Sequence, residues 1–149
     1  MATIQLPPDF EEFLSLLNSE RVEYLLVGGY AVVYHGYPRT TGDMDVWVAF
    51  HEENAIRLAR ALERFGFSAS SVAPGFLLKE GRILRMGIPP MRIEVINRAS
   101  GVEFHACYEA RVVDTLGAVQ VNLIDLEHLK KNKLAAGRPK DLVDLDNLP

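Results

Sequence analysis

The chain has 149 residues, of which 48% are hydrophobic and 24% charged, with a formal net charge of −4. That is globular composition in an amount suited to one domain, and it excludes disorder as the main state. The single cysteine, Cys107, excludes an intrachain disulfide framework and a four-cysteine zinc site. The longest apolar run, Tyr24 to Tyr34, contains two glycines and falls well short of the roughly 20 residues a membrane span needs. No basic region followed by an apolar one opens the chain, so the expected compartment is the cytoplasm. The negative charge argues against a broad electrostatic grip on nucleic acid, while leaving room for a local basic patch.

In chain order, Pro7-Pro8-Asp9 followed by Phe10, Phe13, Leu14, Leu16 and Leu17 predicts an amphipathic helix. Asp9, Glu11 and Glu12 near its start suit the positive end of the helix dipole. Tyr24 to Val27 is a short apolar run bounded by Gly28-Gly29 and reads as a buried strand. Tyr30 to His35 reads as a short helix stopped by Gly36 and Pro38, and Asp43 to Phe50 alternates as a strand. Glu52 to Phe65, with Ile56, Ala59, Leu62 and Phe65 as its apolar positions, predicts a helix ended by Gly66. The middle is strand-rich: Phe76 to Leu78, Arg82 to Ile88, Met91 to Asn97, and a pair, Arg111 to Asp114 and Ala118 to Leu123, closed by a turn at Gly117. Asp125 is a plausible N-cap for the first of two terminal helices, broken near Gly137 and Pro139. The expected fold is α+β: one domain, 1–149, with a mixed sheet flanked by helices and a helical C-terminus.

Tyr24 to Val48 is the most informative stretch. A strand runs into Gly28-Gly29 and a helix, Arg39-Thr40-Thr41 follows, and Asp43-Met44-Asp45 opens the next strand. Glycines at a strand-to-helix turn let backbone N–H groups approach a phosphate. Two aspartates at i and i+2 on a strand share a face. Their oxygens suit hard divalent cations such as Mg²⁺, which binds through a few carboxylates and substrate phosphates. Two carboxylates this close repel each other, so the arrangement costs stability without a cation. Either motif alone is more often a plain turn or cap; the ordered combination is more specific.

At these residues the chain resembles the DNA polymerase β-like nucleotidyltransferase superfamily, whose pattern is Gly-Gly at a helix start, Asp-x-Asp on the next strand and a third acid on a later strand. The resemblance is closer to the small bacterial AbiEii-like group associated with abortive infection and toxin–antitoxin systems. Leu26-Val27-Gly28-Gly29-Tyr30-Ala31, His35-Gly36, Arg39-Thr40-Thr41 and Asp43-Met44-Asp45 carry it, and Lys133, Arg138, Lys140, Asp141 and Asp144 extend it to the C-terminus. The chain departs from the pattern twice. No serine follows the glycine pair, where Tyr30 and Ala31 stand, and the candidate third acid, in Met91-Arg-Ile-Glu-Val-Ile-Asn97, is Glu94 in place of the commoner aspartate.

The resemblance implies a metal-dependent transfer of a nucleoside monophosphate from an NTP to an acceptor hydroxyl, with release of pyrophosphate. It implies that Asp43, Asp45 and Glu94 bind Mg²⁺ or Mn²⁺, with Glu94 also helping to deprotonate the acceptor. Gly28 and Gly29 would cradle phosphates, and Lys133 and Arg138 would contact the triphosphate. Arg39 reaches a phosphate, pairs with an aspartate of the site or is a solvated loop arginine. Glu94 has the alternative of a surface acid paired with Arg92 or Arg98, and Asp141 either orients Lys133 or an arginine, or caps the last helix. By composition alone Lys130, Lys131 and Lys133 form a wet helix face. Trp47 either lines a base pocket or packs in the core, and Cys107 reads as a buried small apolar residue. Arg82, Arg85, Arg92 and Arg98 form either a basic strip or a solvated set.

The acceptor stays open between a tRNA 3′ end, a protein hydroxyl and a small molecule. The competing expectation is a catalytically weak NTP-binding sensor or a toxin–antitoxin component with a cognate partner protein.

Overall fold

The computed structural model describes residues 4–67, 79–88 and 91–149. The predicted strand Phe76 to Leu78 lies outside these residues. Among the described residues twelve elements follow in order: α1 Pro8–Ser19, β1 Tyr24–Val27, α2 Gly28–Tyr34, β2 Met44–Val48, α3 Glu52–Arg64, β3 Ile83–Met86, β4 Ile93–Ile96, α4 Phe104–Glu109, β5 Val112–Leu116, β6 Val119–Leu123, α5 Leu126–Ala136 and α6 Pro139–Asn147. The strands form one sheet in the order β3-β4-β2-β1-β6-β5. It is mixed: β1·β2, β3·β4 and β5·β6 are antiparallel, while β1·β6 and β2·β4 are parallel.

The central strand β1 is buried along its whole length because both sheet faces are covered. Tyr24 and Leu26 enter one apolar layer with Met44, Val46 and Val48, closed by Phe10, Phe13, Leu14 and Leu17 of α1 and Leu58, Ala61 and Leu62 of α3. Leu25 and Val27 enter the other with Trp47, Ala31, Val32, Cys107, Ile124 and Leu129. The period-2 alternation of β2 thus sends Met44, Val46 and Val48 to one layer and leaves Asp45 and Trp47 on the opposite face.

Helix α1 buries i, i+3, i+4 and i+7 positions, as its sequence predicts. Helix α3 differs. Its buried residues are Asn54, Leu58, Ala61 and Leu62, and Ile56 is 49% exposed. A spacing of three residues advances only 300° around a helix of 3.6 residues per turn, so the set Ile56, Ala59, Leu62, Phe65 winds off the core face. The buried Asn54 instead joins two strand ends: its Oδ1 accepts from Glu23 N at 2.7 Å, and its Nδ2 donates to Ala49 O at 2.9 Å and Glu23 O at 3.1 Å. Helix α2 begins at Gly28, earlier than the expected Tyr30, because Gly28 at φ 65° makes the turn and enters the helix at once. Helix α4 lies where no helix was expected; its six residues are too few to show a helical period. Asp125 caps α5 as expected, accepting from His128 N, and Gly137 at φ 65° ends it.

Among the described residues no helix is long and apolar enough to cross a membrane.

Candidate active site

The parallel pairing of β2 and β4 sets Asp45 opposite Glu94 in register, with Met44 opposite Ile93. Asp43 stands two residues before Asp45, on the same side of the sheet. The structure therefore gathers all three acids singled out in the sequence, although they come from strands far apart in the chain.

Their electrostatics show crowding. Burial, reinforced by the negative charge of Glu94, a hydrogen bond shared with it and the charge of Asp43, pushes the Asp45 carboxyl up to about 7. Burial and acidic neighbours both favour the neutral form of such a carboxyl. Lys140, exposed in the first turn of α6, is near enough to pull in the opposite direction. Arg92 supplies most of the positive charge at the other two acids: its Nη2 donates to Asp43 Oδ2 at 2.9 Å and lies 3.0 Å from Glu94 Oε1. The exposed Arg85 also reaches Glu94 Oε1, at 3.2 Å. Glu94 is thus both a neighbour of Asp45 and a partner of Arg92. Its other expected partner, Arg98, stands 3.9 Å from Glu80. The basic strip expected from Arg82, Arg85, Arg92 and Arg98 is accordingly interleaved with acids, since three of its four members face a carboxylate.

Gly28 and Gly29 are packed close. A β-carbon at Gly28 would run into the Asp45 carboxylate, and one at Gly29 would run into Thr41 Oγ1 and approach Arg39. The bare backbone is what lets β2 and the Arg39-Thr40-Thr41 loop lie against the entry to α2.

Arg39 is neither a solvated loop arginine nor a partner of Asp43 or Asp45: it pairs with Asp144. It grips Asp144 with both arms, Nε to Oδ1 at 2.7 Å and Nη2 to Oδ2 at 2.9 Å. Lys133 is no wet-face residue: it is 5% exposed, and its Nζ lies 2.9 Å from Asp144 Oδ2 and 3.2 Å from Asp141 Oδ1. Arg138 Nε donates to Asp141 Oδ2 at 2.7 Å, and that oxygen also accepts the Arg138 backbone N–H, so Asp141 both pairs with cations and caps α6. Burial by itself would raise both carboxyls. The hydrogen bonds from Arg138 and Lys133 to Asp141, and from Arg39 and Lys133 to Asp144, outweigh it and hold both below the usual range. Three cations thus meet two buried carboxylates, and the surplus charge lies beside the acid site.

Trp47 is a core residue, edge-on to Phe104 with ring centroids 5.1 Å apart. It also borders a groove of about 580 Å³ lined by His51, Glu103, Phe104 and Tyr108 among others.

Two residues of the site escaped the sequence reading as participants. Arg92 entered as an alternative partner for Glu94 and a member of the candidate basic strip, and Lys140 only as part of a motif. The signal for Arg92 was its i−2 spacing from Glu94, which places both on one side of β4.

Among solved structures, the chain is similar to a candidate nucleotidyltransferase from Thermotoga maritima, with a TM-score of 0.61 over 95% of this chain and 93% of that one. The chain shares that protein's fold. Sequence identity between the two is 15%, so the likeness lies in the architecture. No family model matches the chain, and no curated protein matches it either.

Three carboxylates gathered on one face are a donor set of the kind that could hold a divalent cation. As the side chains stand, no three His, Cys, Asp or Glu among the described residues are arranged to hold a metal ion. Arg92 bridges two of the three acids, Asp43 and Glu94.

Proposed function

We propose that the protein is a nucleotidyltransferase acting on an NTP and an acceptor hydroxyl. The observation that supports this most directly is the in-register placement of Asp45 opposite Glu94, beside Asp43 and against Gly28. Asp43, Asp45 and Glu94 would hold Mg²⁺ or Mn²⁺. Such a cation, when bound, stabilises negative charge on the phosphates and on the attacking and leaving oxygens.

The chain's own residues do the rest. Glu94 accepts the proton of the acceptor hydroxyl. The acceptor oxygen forms a bond to the α-phosphorus as the bond from that phosphorus to the bridging oxygen of pyrophosphate breaks. Gly28 and Gly29 offer backbone N–H groups to the β- and γ-phosphates. Arg39 and Arg138 balance the charge that develops on pyrophosphate, and Lys133 adds its charge from within the ion cluster. Lys140, exposed and close to Asp45, joins them as a phosphate contact. The acceptor class lies among a tRNA 3′ end, a protein hydroxyl and a small molecule.

The test is transfer of α-³²P label from each of the four NTPs, with Mg²⁺ or Mn²⁺, to total tRNA, lysate protein and the chain itself. A double variant, Asp43→Ala with Asp45→Ala, is run beside the wild type. Label on one acceptor class that disappears in the double variant is the expected result. NTP binding without any transfer would refute the enzyme and favour a second reading, an NTP sensor or partner-dependent toxin–antitoxin component. The contacts of Arg92 with two of the acids are the observation that keeps this second reading in play.

A further inference from the structure

We propose that Arg92 is a built-in competitor for the cation site, closing the Asp43–Glu94 pair in the metal-free chain and leaving it when a divalent cation binds. The inference rests on the cation reading above and adds a regulation of that site.

The manner of its grip sets Arg92 apart from a structural arginine. A guanidinium that braces a fold holds its carboxylate with two parallel N–H···O bonds. Arg39 does so with Asp144, Nε and Nη2 each meeting a different oxygen. Arg92 instead places one nitrogen, Nη2, between two carboxylates on different strands, 2.9 Å from Asp43 and 3.0 Å from Glu94. Its Nε is buried and has no hydrogen-bond partner among the described residues. A buried donor left unmet is costly, so the closed arrangement holds less tightly than a forked pair.

Its backbone is well placed for the task. The carbonyl of Arg92 accepts from Met44 N at 2.9 Å, so the residue is fixed in the β2·β4 ladder while its side chain, 28% exposed, can turn outward. One positive charge bridging two ligands opposes a divalent ion that would bind the same oxygens. Withdrawal of the guanidinium frees Asp43 and leaves Glu94, beside Asp45, with only the exposed Arg85.

The experiment is a Mn²⁺ titration of the full-length chain, followed by the EPR signal of free Mn²⁺ at fixed ionic strength and without nucleotide. Arg92→Gln is expected to bind Mn²⁺ about tenfold more tightly than wild type, the least effect of a neighbouring arginine on carboxylate affinity. Arg85→Gln, which removes the exposed partner of Glu94, is expected to change affinity less than about twofold. Binding by Arg92→Gln that equals or falls below wild type overturns the proposal while leaving the cation reading intact. If neither protein binds Mn²⁺ without nucleotide, the competitor proposal is overturned, and the labelled-transfer assay above decides the cation reading separately. Binding by the variant alone supports the proposal. Should Arg92→Gln fail to fold by circular dichroism, Arg92→Met carries the test. It keeps an unbranched stem and drops the charge, so affinity above wild type is expected and affinity at or below it is the refuting result.

Discussion

Asp45 is pressed against Gly28 on one side and faces Glu94 across the strand pair on the other. Its carboxyl, pushed up to about 7 by burial and its acidic neighbours, keeps a proton that the unfolded chain gives up near pH 4. The folded, metal-free chain therefore binds more protons than the unfolded one across that window. The contribution of Asp45 to stability falls as pH rises from about 4 to 7, and levels off above. We expect the urea midpoint, measured in EDTA at steps across this range, to decline less steeply in Asp45→Asn than in wild type. A parallel decline in both would place the proton elsewhere. Gly28 is tested from the other side. It combines φ 65° with contact to the Asp45 carboxylate, so Gly28→Ala should lose about 1–3 kcal/mol from backbone strain, read by the same denaturation.

At the scale of elements, one polar fixture holds a helix to the sheet and another holds two helices together. Asn54 ties α3 to the ends of β1 and β2 through three hydrogen bonds. Asn54→Ala leaves strand-end groups unsatisfied and should cost at least about 1–3 kcal/mol in urea unfolding. Lys133 joins α5 to Asp141 and Asp144 of α6. Lys133→Met strips two buried carboxylates of a shared cation and should cost about 3–5 kcal/mol. Lys131→Met, at an exposed position of the same helix, should stay within about 0.5 kcal/mol. Equal effects of the two would return Lys133 to the solvated face.

That pair of lysines also marks how far the sequence could be read. Strand β1 was legible because an unbroken apolar run bounded by glycines needs no partner to be recognised. Asp43, Asp45 and the Asp125 cap were legible for the same reason: their signal lies within a few residues. The choice of Lys133 over Lys130 and Lys131 came from the family resemblance, since nothing local separates three lysines that differ only in what the folded chain brings to them. The partnership of Arg39 with Asp144 and the bridge made by Arg92 were hidden likewise, because each depends on a pairing of elements distant in sequence. The apolar face of α3 was misread by a simple geometric slip, a three-residue spacing that drifts around the helix.

At the scale of the molecule, one sheet carries two apolar layers, and β1 feeds both. A shared central strand should make the layers melt together. The single tryptophan, Trp47, lies in the layer on the side of the acids, so its fluorescence follows that half, while circular dichroism follows the helices of both. The two unfolding curves should coincide. Leu14→Ala, in the opposite layer, should lower both midpoints by about 2–5 kcal/mol of stability without altering native tryptophan emission. Separate transitions would show that the layers are independent.

The parallel junction of β2 and β4 has a consequence for how the chain reaches this state. Parallel pairing between distant segments is slow to form, because the intervening chain must be closed first. Here the incoming strand also carries an acid toward two acids already in place, so the encounter would be repulsive at its last step. Arg92 lies on the same incoming segment as Glu94, two residues ahead of it, and arrives with the charge that relieves the repulsion. We expect the guanidinium that bridges Asp43 and Glu94 in the finished protein to help this strand dock during folding. Neutralising it should slow refolding most at low ionic strength, where nothing else screens the acids.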